Sequence, residues 1–461
     1  MYQTIIIGGG PSGLMAAVAA SEQSQNVLLL EKKKGLGRKL KISGGGRCNV
    51  TNRLPYAEII KNIPGNGKFL YSPFSVFDNE SIIDFFESRG VKLKEEDHGR
   101  MFPVSNKSQD VVDTLVNTIK QNKVDIKEET IVNEINVEDN GTFEVTTDKG
   151  IFSSKSVIIA TGGTSVPQTG STGDGYKFAK KLGHSITELF PTEVPITSAE
   201  HFIKSKELKG LSLKDVELSV LKKNGKKRIS HKMDMIFTHF GISGPAALRC
   251  SQFVYKEQKN QKTKEINMQL DVFPEYKNHV LEKKITSILN EEPDKYIKNS
   301  LRGLIEERYL LFMLNQVQID ENTTYHHLSN QQLKQLVDCF KAFTFKVNGT
   351  LPIDKAFVTG GGVSLKEIWP KTMMSKLQPG LFLCGEVLDI HGYTGGYNIT
   401  SALVTGHVAG YDSSCNPINI NVIFYFDALL LIDLKIKNKP LTNVNEINGL
   451  DVSLFIPVFG N

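Results

Sequence analysis

Tryptophan, cysteine and long apolar runs are all scarce in this chain. One Trp and five Cys occur in 461 residues. The cysteines (Cys48, Cys250, Cys339, Cys384 and Cys415) are odd in number, widely spaced and free of any C-x-x-C pair, so neither a disulfide framework nor a zinc site is legible. A reducing compartment matches that usage. No apolar run approaches the ~20 residues of a spanning helix; the longest late stretch, Val422 to Ile432, is broken by Asp427. Met1-Tyr2 leads directly into Thr4-Ile5-Ile6-Ile7, without the charged and apolar regions of an export signal. A cytoplasmic protein with no membrane partner is expected. Charge of one sign is lacking too, since 55 Lys+Arg against 50 Asp+Glu leave only +5, too thin a field to argue for a nucleic-acid partner. A composition of 40% hydrophobic and 23% charged residues excludes a disordered or fibrous chain.

The most legible unit comes first. Ile5 to Ile7 read as an apolar strand, Leu14 to Ser21 as a small-residue helix, and Val27 to Leu30 as a second strand ending at Glu31: a βαβ opening. Lys32 to Asn52 holds too many glycines for a helix and is read as loop, or loop capping a helix. Asp110 to Gln121 shows a one-sided helical pattern. The segments flanking Asn140-Gly141 read as a hairpin, and Ser156 to Ala160 as a buried strand of the same parallel sheet. From about Pro191 short alternating segments, with a turn at Asn224-Gly225, suggest an antiparallel sheet. Residues 256–342 turn polar and helical, with a capping box at Ser329-Asn330-Gln331-Gln332. Strand-like segments resume at Thr344 to Val347, Ala356 to Thr359 and Leu381 to Cys384, before a helix from Ser401 to Ala409. The single tryptophan, Trp369, is expected in the core.

Gly8-Gly9-Gly10-Pro11-Ser12-Gly13 satisfies G-x-G-x-x-G between a strand and a helix, the context that makes the pattern a dinucleotide fingerprint. Gly8 allows the tight turn, Gly10 lets backbone approach a pyrophosphate at the helix N-terminus, and Gly13 lets helix pack on strand. Glu31 supplies the carboxylate for ribose hydroxyls. No second fingerprint follows. A basic glycine loop, a β-meander and a distant C-terminal return follow instead, an order that suits noncovalent FAD, whose length needs several chain segments. Cofactor contacts are expected from the loop (Lys32, Arg38, Lys39, Ser43, Gly44, Gly45, Arg47, Cys48, Asn49), from Val132, and from Thr161, Gly162 and Gly163. At the far end, Gly385 and Glu386 close a strand, Glu386 being suited to the ribityl hydroxyls, and Gly395, Gly396, Tyr397 and Asn398 open a helix whose positive end suits the flavin ring.

These segments, together with Gly99-Arg100-Met101-Phe102-Pro103, Gly170-Ser171-Thr172-Gly173-Asp174-Gly175-Tyr176, Phe237 through Pro245, Val358-Thr359-Gly360-Gly361-Gly362-Val363 and Gly385-Glu386-Val387-Leu388-Asp389, resemble the bacterial flavoprotein family that includes aminoacetone oxidase and a bile-acid dehydroxylation flavoenzyme. The resemblance runs from Met1 to about Gly410. It implies an α/β + β architecture: a split, two-dinucleotide-binding-type (Rossmann-like) FAD domain over 1–190 and 355–410, a β-rich substrate domain over 191–255 and 343–354, and a helical insertion over 256–342. Residues 411–461 are expected to form an atypical tail outside FAD binding. Members resembling this chain are described both as oxidases and as NAD(P)H-dependent dehydrogenases.

The expected function is therefore an FAD-dependent oxidoreductase acting on a small organic molecule, with O₂ or NAD(P)H as second redox partner. Two alternatives remain open: a flavin-dependent tRNA-modifying enzyme, and a non-catalytic flavin redox sensor using the helical insertion as partner surface. Catalytic residues are not legible, because a flavin carries hydride chemistry itself. Cys48, His239, His391 and Tyr393 are weak candidates, each read more readily as structural. No metal site is expected.

Overall fold

Thr4 to Ile7 of the strand Tyr2–Ile7 are buried in the middle of a parallel sheet, with a parallel strand on either side and helices packed on it, which is why Ile5-Ile6-Ile7 reads as an unbroken apolar run rather than an alternation. The computed structural model describes residues 1–414; the expectations for the tail, including Val422 to Ile432, lie outside the described residues. The first sheet runs in the order Asp125–Lys127, Val27–Leu30, Tyr2–Ile7, Gly150–Ile159, Phe143–Thr147, Val132–Val137. The first four strands are parallel and the last two return antiparallel through Asn140-Gly141. Leu381–Leu383 adds in parallel to Gly150–Ile159, so a late segment of the described residues completes a sheet begun by the first strand.

Two helices lock that closure. Pro11–Gln23 presents Ser12 and Ala16 to Gly406 and Gly410 of Tyr397–Ser414. A Cβ at Gly406 would lie 2.3 Å from the Ser12 carbonyl oxygen, and one at Gly410 2.2 Å from that of Ala16, so the backbones touch through two glycines one helical turn apart. The second of these helices is longer than Ser401 to Ala409, continuing to Ser414.

The second sheet is antiparallel, in the order Phe343–Val347, Ile266–Asp271, Ser212–Leu221, Lys227–Phe237, Gly241–Ser243, Ile196–Thr197, Gly349–Thr350. Its longest pair forms the hairpin around Asn224-Gly225. Within the stretch 256–342, expected as a helical insertion, the structure also places a strand, Ile266–Asp271. Ile266, Met268 and Leu270 alternate inward with period two, a short signal masked by the polar residues around it. Helices Asn278–Glu291, Glu307–Gln316 and Asn330–Ala342 bury Leu281, Ile285, Met313 and Phe340 in the same apolar cluster as that sheet. The capping box of the last forms, Ser329 and Gln332 satisfying each other's backbone N–H groups. Trp369 is corrected: it is 38% exposed, with the Lys376 ammonium 4.7 Å from its ring. No helix among the described residues is long and apolar enough to cross a membrane.

Candidate active site

The glycine fingerprint earns its conformation through crowding. Gly8 has φ +112°, and a Cβ there would lie 2.5 Å from the Ala160 carbonyl oxygen; one at Gly13 would meet the Gly8 oxygen at 1.8 Å. Gly10 is different, because a Cβ would touch nothing within 4 Å: its Cα faces an open cavity. At the next strand end Glu31 accepts the N–H of Gly9 through Oε2 and that of Lys33 through Oε1, each at 2.8 Å. The carboxylate is thereby fixed beside the turn.

The cavity has a volume of about 1170 Å³, beyond the roughly 300–1,000 Å³ usual for a drug-sized ligand. Gly8, Gly10, Pro11, Ser12, Glu31, Lys32, Arg38, Lys39, Ser43, Gly44, Gly45, Asn49 and Val132 line it, as do Thr161, Gly162, Gly385, Glu386, Gly395, Gly396, Tyr397 and Asn398. These residues come from both ends of the described chain. Of the expected cofactor contacts, Gly13, Arg47, Cys48 and Gly163 stand outside its lining. Gly13 and Gly163 are spacers, a Cβ on the latter reaching the Thr359 hydroxyl at 2.3 Å. Arg47 is turned away, paired with Glu96 and lying over the Phe102 ring at 4.2 Å.

Several side chains hold the walls rather than face the cavity freely. Lys39 Nζ donates to Ser165 Oγ and to Glu386 Oε2, each at 2.7 Å. Glu386 Oε1 accepts from the Thr359 N–H at 2.8 Å and from Ser165 Oγ at 2.9 Å. Burial alone would raise this carboxyl, but Lys39 and the hydrogen-bond donors outweigh burial and hold it below the usual range. Both oxygens thus have protein partners, so Glu386 clamps the wall while still lining the cavity. Lys32 bonds Asp174 and Thr172. Asn398 staples the preceding loop, accepting from Gly392 N at 2.7 Å and donating to Gly392 O at 2.9 Å.

The groups left without partners are informative. Asn49 Oδ1 and Thr161 Oγ1, both on cavity-lining residues, are buried and unbonded. Such polar atoms require a ligand or water. With the open face at Gly10, the fixed carboxylate of Glu31 and the N-terminus of Tyr397–Ser414, the donor set fits a dinucleotide carrying an extended polar chain and a flat ring.

Of the weak catalytic candidates, only Tyr393 lines the cavity. Cys48 is fully buried at φ +59°, and burial pushes its thiol up to about 12, so no thiolate forms at neutral pH. His239 is exposed and lies outside the lining. His391 is buried against the edge of Phe190, 3.4 Å from Gln252 Oε1, and burial takes it down to about 3. Residues not singled out from the sequence complete the far wall: Arg249, Lys214, Lys232, Met233 and Phe357. Arg249 Nη2 donates to the Thr394 carbonyl at 3.0 Å, its guanidinium stands 4.9 Å from the Tyr393 ring centre, and its Nε is buried without a partner. Glu193 lies behind the wall, fully buried. Arg249 sits about one turn into the helix Pro245–Gln261, a place that carries no functional signal in the sequence, and Glu193 carries none either.

Fold and cavity define an FAD-dependent oxidoreductase. A family model described as the HI0933-like protein Rossmann domain matches residues 2–412, and the chain belongs to that family. It is 29% identical over 416 residues to the 3-dehydro-bile acid delta(4,6)-reductase of Clostridium scindens, covering 89% of this chain and 99% of the relative. It is 30% identical over 397 residues to the ribosomal RNA dihydrouridine synthase of Escherichia coli, covering 86% of this chain and 94% of the relative. Among solved structures, the 3-ketosteroid delta1-dehydrogenase of Sterolibacterium denitrificans aligns with a TM-score of 0.50 at 11% identity, over 90% of this chain and 99% of that one, a likeness of fold.

Proposed function

We propose that this chain, with FAD held by residues 1–190 and 355–410, reduces a C=C bond conjugated to a carbonyl in a small organic substrate, with NADH or NADPH as electron donor. The observation that carries the reading is the continuity of one cavity from the glycine fingerprint to a wall of Arg249, Tyr393, Met233 and Phe357. Reduced FAD supplies the hydride for such a reaction. The chain's own residues shape the rest. Phe357 is 54% exposed although it lines the cavity, an apolar face suited to a flat substrate. Arg249 and Tyr393 place a cation and an aromatic ring beside the helix start. One relative is named as a reductase of a 3-dehydro bile acid, the other as a dihydrouridine synthase. Adding two hydrogens across the uracil C=C bond, next to its carbonyl, gives dihydrouridine, so both names share this chemistry.

The test is anaerobic incubation of the holoenzyme with NADPH or NADH and a flat steroid enone. The reading expects a product heavier by two hydrogens. Flavin that either nicotinamide reduces but only O₂ reoxidises would overturn it in favour of an oxidase.

A second reading keeps the reaction and changes the substrate to a uracil ring in RNA. One observation favours it. Lys214 and Lys232 on the cavity wall belong to the hairpin whose exposed tip is Lys222-Lys223-Asn224-Gly225-Lys226-Lys227-Arg228, a cationic arm outside the small-molecule cavity. RNA affinity that falls steeply with salt, and is lost when the tip lysines become alanine, is its signature.

A further inference from the structure

We infer that Arg249 is the residue that binds the carbonyl oxygen of the substrate, and that Glu193, sealed behind the wall, is a positioning residue that fixes Arg249 through Thr394. The substrate class in this inference rests on the reductase reading above.

Thr394 is bracketed. Its carbonyl accepts from Arg249 Nη2 at 3.0 Å while its N–H donates to Glu193 Oε2 at 2.8 Å, so one peptide segment carries both the cation and the acid. The Tyr393 ring gives the guanidinium a second support at 4.9 Å. The Tyr397 hydroxyl is a further hydrogen-bond partner of the guanidinium, yet Nε is buried and unbonded on a residue that lines the cavity. A guanidinium has five N–H donors and no acceptor capacity, so a ligand oxygen is the group that completes it. Glu193 is held hard in place. It has φ +53°, a left-handed conformation that a glutamate adopts only when its surroundings impose it, and its carbonyl accepts from Phe357 N at 3.2 Å. Phe357 and Arg249, two parts of the substrate wall, are thereby tied to one residue.

The chemistry uses a fixed cation at that oxygen. When hydride adds to the carbon far from the carbonyl, the electron pair of the C=C bond shifts towards the carbonyl oxygen, which becomes anionic. A proton from water then goes to the near carbon, giving the saturated ketone, while NADH or NADPH is oxidised overall. A preorganised donor at the oxygen stabilises the charge as it develops.

The experiment uses the FAD-loaded enzyme and 4-hydroxybenzaldehyde, whose phenolate oxygen imitates the anionic carbonyl and whose ring gives a long-wavelength charge-transfer band over an oxidised flavin. In the wild type the phenol is expected to bind as phenolate, with its pKa lowered from the free value. Arg249→Gln should weaken binding by about 10- to 100-fold, as expected for losing a charged hydrogen bond, and return the pKa towards its free value. Glu193→Ala should shift both in the same direction, and Glu193→Gln, which still offers an oxygen to Thr394 N–H, should restore them. Arg249→Lys, which keeps the charge but lacks Nε, should recover affinity only in part. An unshifted phenol pKa in the wild type, or wild-type binding by Arg249→Gln, overturns the inference. If Arg249-dependent phenolate binding holds while no enone is reduced, the oxyanion site stands and the reductase reading falls.

Discussion

Lys39 Nζ lies 2.7 Å from Glu386 Oε2, joining two segments 347 positions apart across the cavity wall. Neither side chain is more than a quarter exposed. The pair therefore holds an early segment of the chain against a late segment of the described residues, and cofactor binding should depend on it.

Lys39→Ala leaves Glu386 buried without its cation. A loss on the order of 2–3 kcal/mol in stability is expected, at the low end for a shielded pair because some solvent reaches it, together with lower FAD occupancy. The double variant Lys39→Ala, Glu386→Gln should lose less than the sum of the singles, because no uncompensated charge remains. Thermal unfolding and flavin absorbance of the four proteins check this.

Two glycine substitutions should separate folding from cofactor binding. Gly406→Ala places a methyl group 2.3 Å from the Ser12 oxygen and must push two helices apart, for about 1–3 kcal/mol of stability. Gly10→Ala meets nothing within 4 Å and should fold like the wild type. Its methyl group projects into the cavity where backbone must approach a pyrophosphate, so FAD affinity should fall at unchanged melting temperature of the apoprotein.

The fingerprint and the βαβ unit around it were legible because each of those glycines answers a local requirement, a tight turn or a helix touching a strand, that sequence spacing records directly. The wall made by Arg249, Glu193 and Phe357 was not. Those residues meet only when the second sheet packs beside the Thr394 loop, and a lone Arg one turn into a helix reads as surface. Ile266–Asp271 was hidden for another reason: its alternation spans six residues inside a long polar, helix-forming stretch, too short for its period to outweigh its neighbours.

Cys48 should resist alkylation. Iodoacetamide added to the native protein at pH 8 should leave it unmodified, since it is fully buried and its thiol is pushed up to about 12. Peptide mass spectrometry reads the outcome; rapid labelling of Cys48 would return it to the list of redox candidates.

Glu193 predicts a pH signature. Burial raises its carboxyl to about 7 from an ordinary 4.5, against the opposing pull of the Thr394 donors and of Arg249. The folded protein then binds a proton that the unfolded chain has released, so this group makes stability fall as pH rises from about 4.5 to about 7. His231, beside Tyr393, acts in the opposite sense, burial lowering it to about 4. The informative quantity is the difference between wild type and Glu193→Gln: the variant should lose the downward slope in that window and gain relative stability towards pH 7. Urea unfolding across the range measures it, and parallel curves would contradict the assignment.

The central claim is that one cavity built from early and late segments of the described residues holds intact FAD without a covalent bond. The most direct measurement is chromatography of the flavin released when the purified protein is denatured. The account predicts FAD equimolar with protein, none of it left on the polypeptide, and its loss on Glu31→Arg, which sets a cation where the ribose carboxylate stands. A colourless protein that FAD does not reconstitute, or FMN in place of FAD, would contradict it.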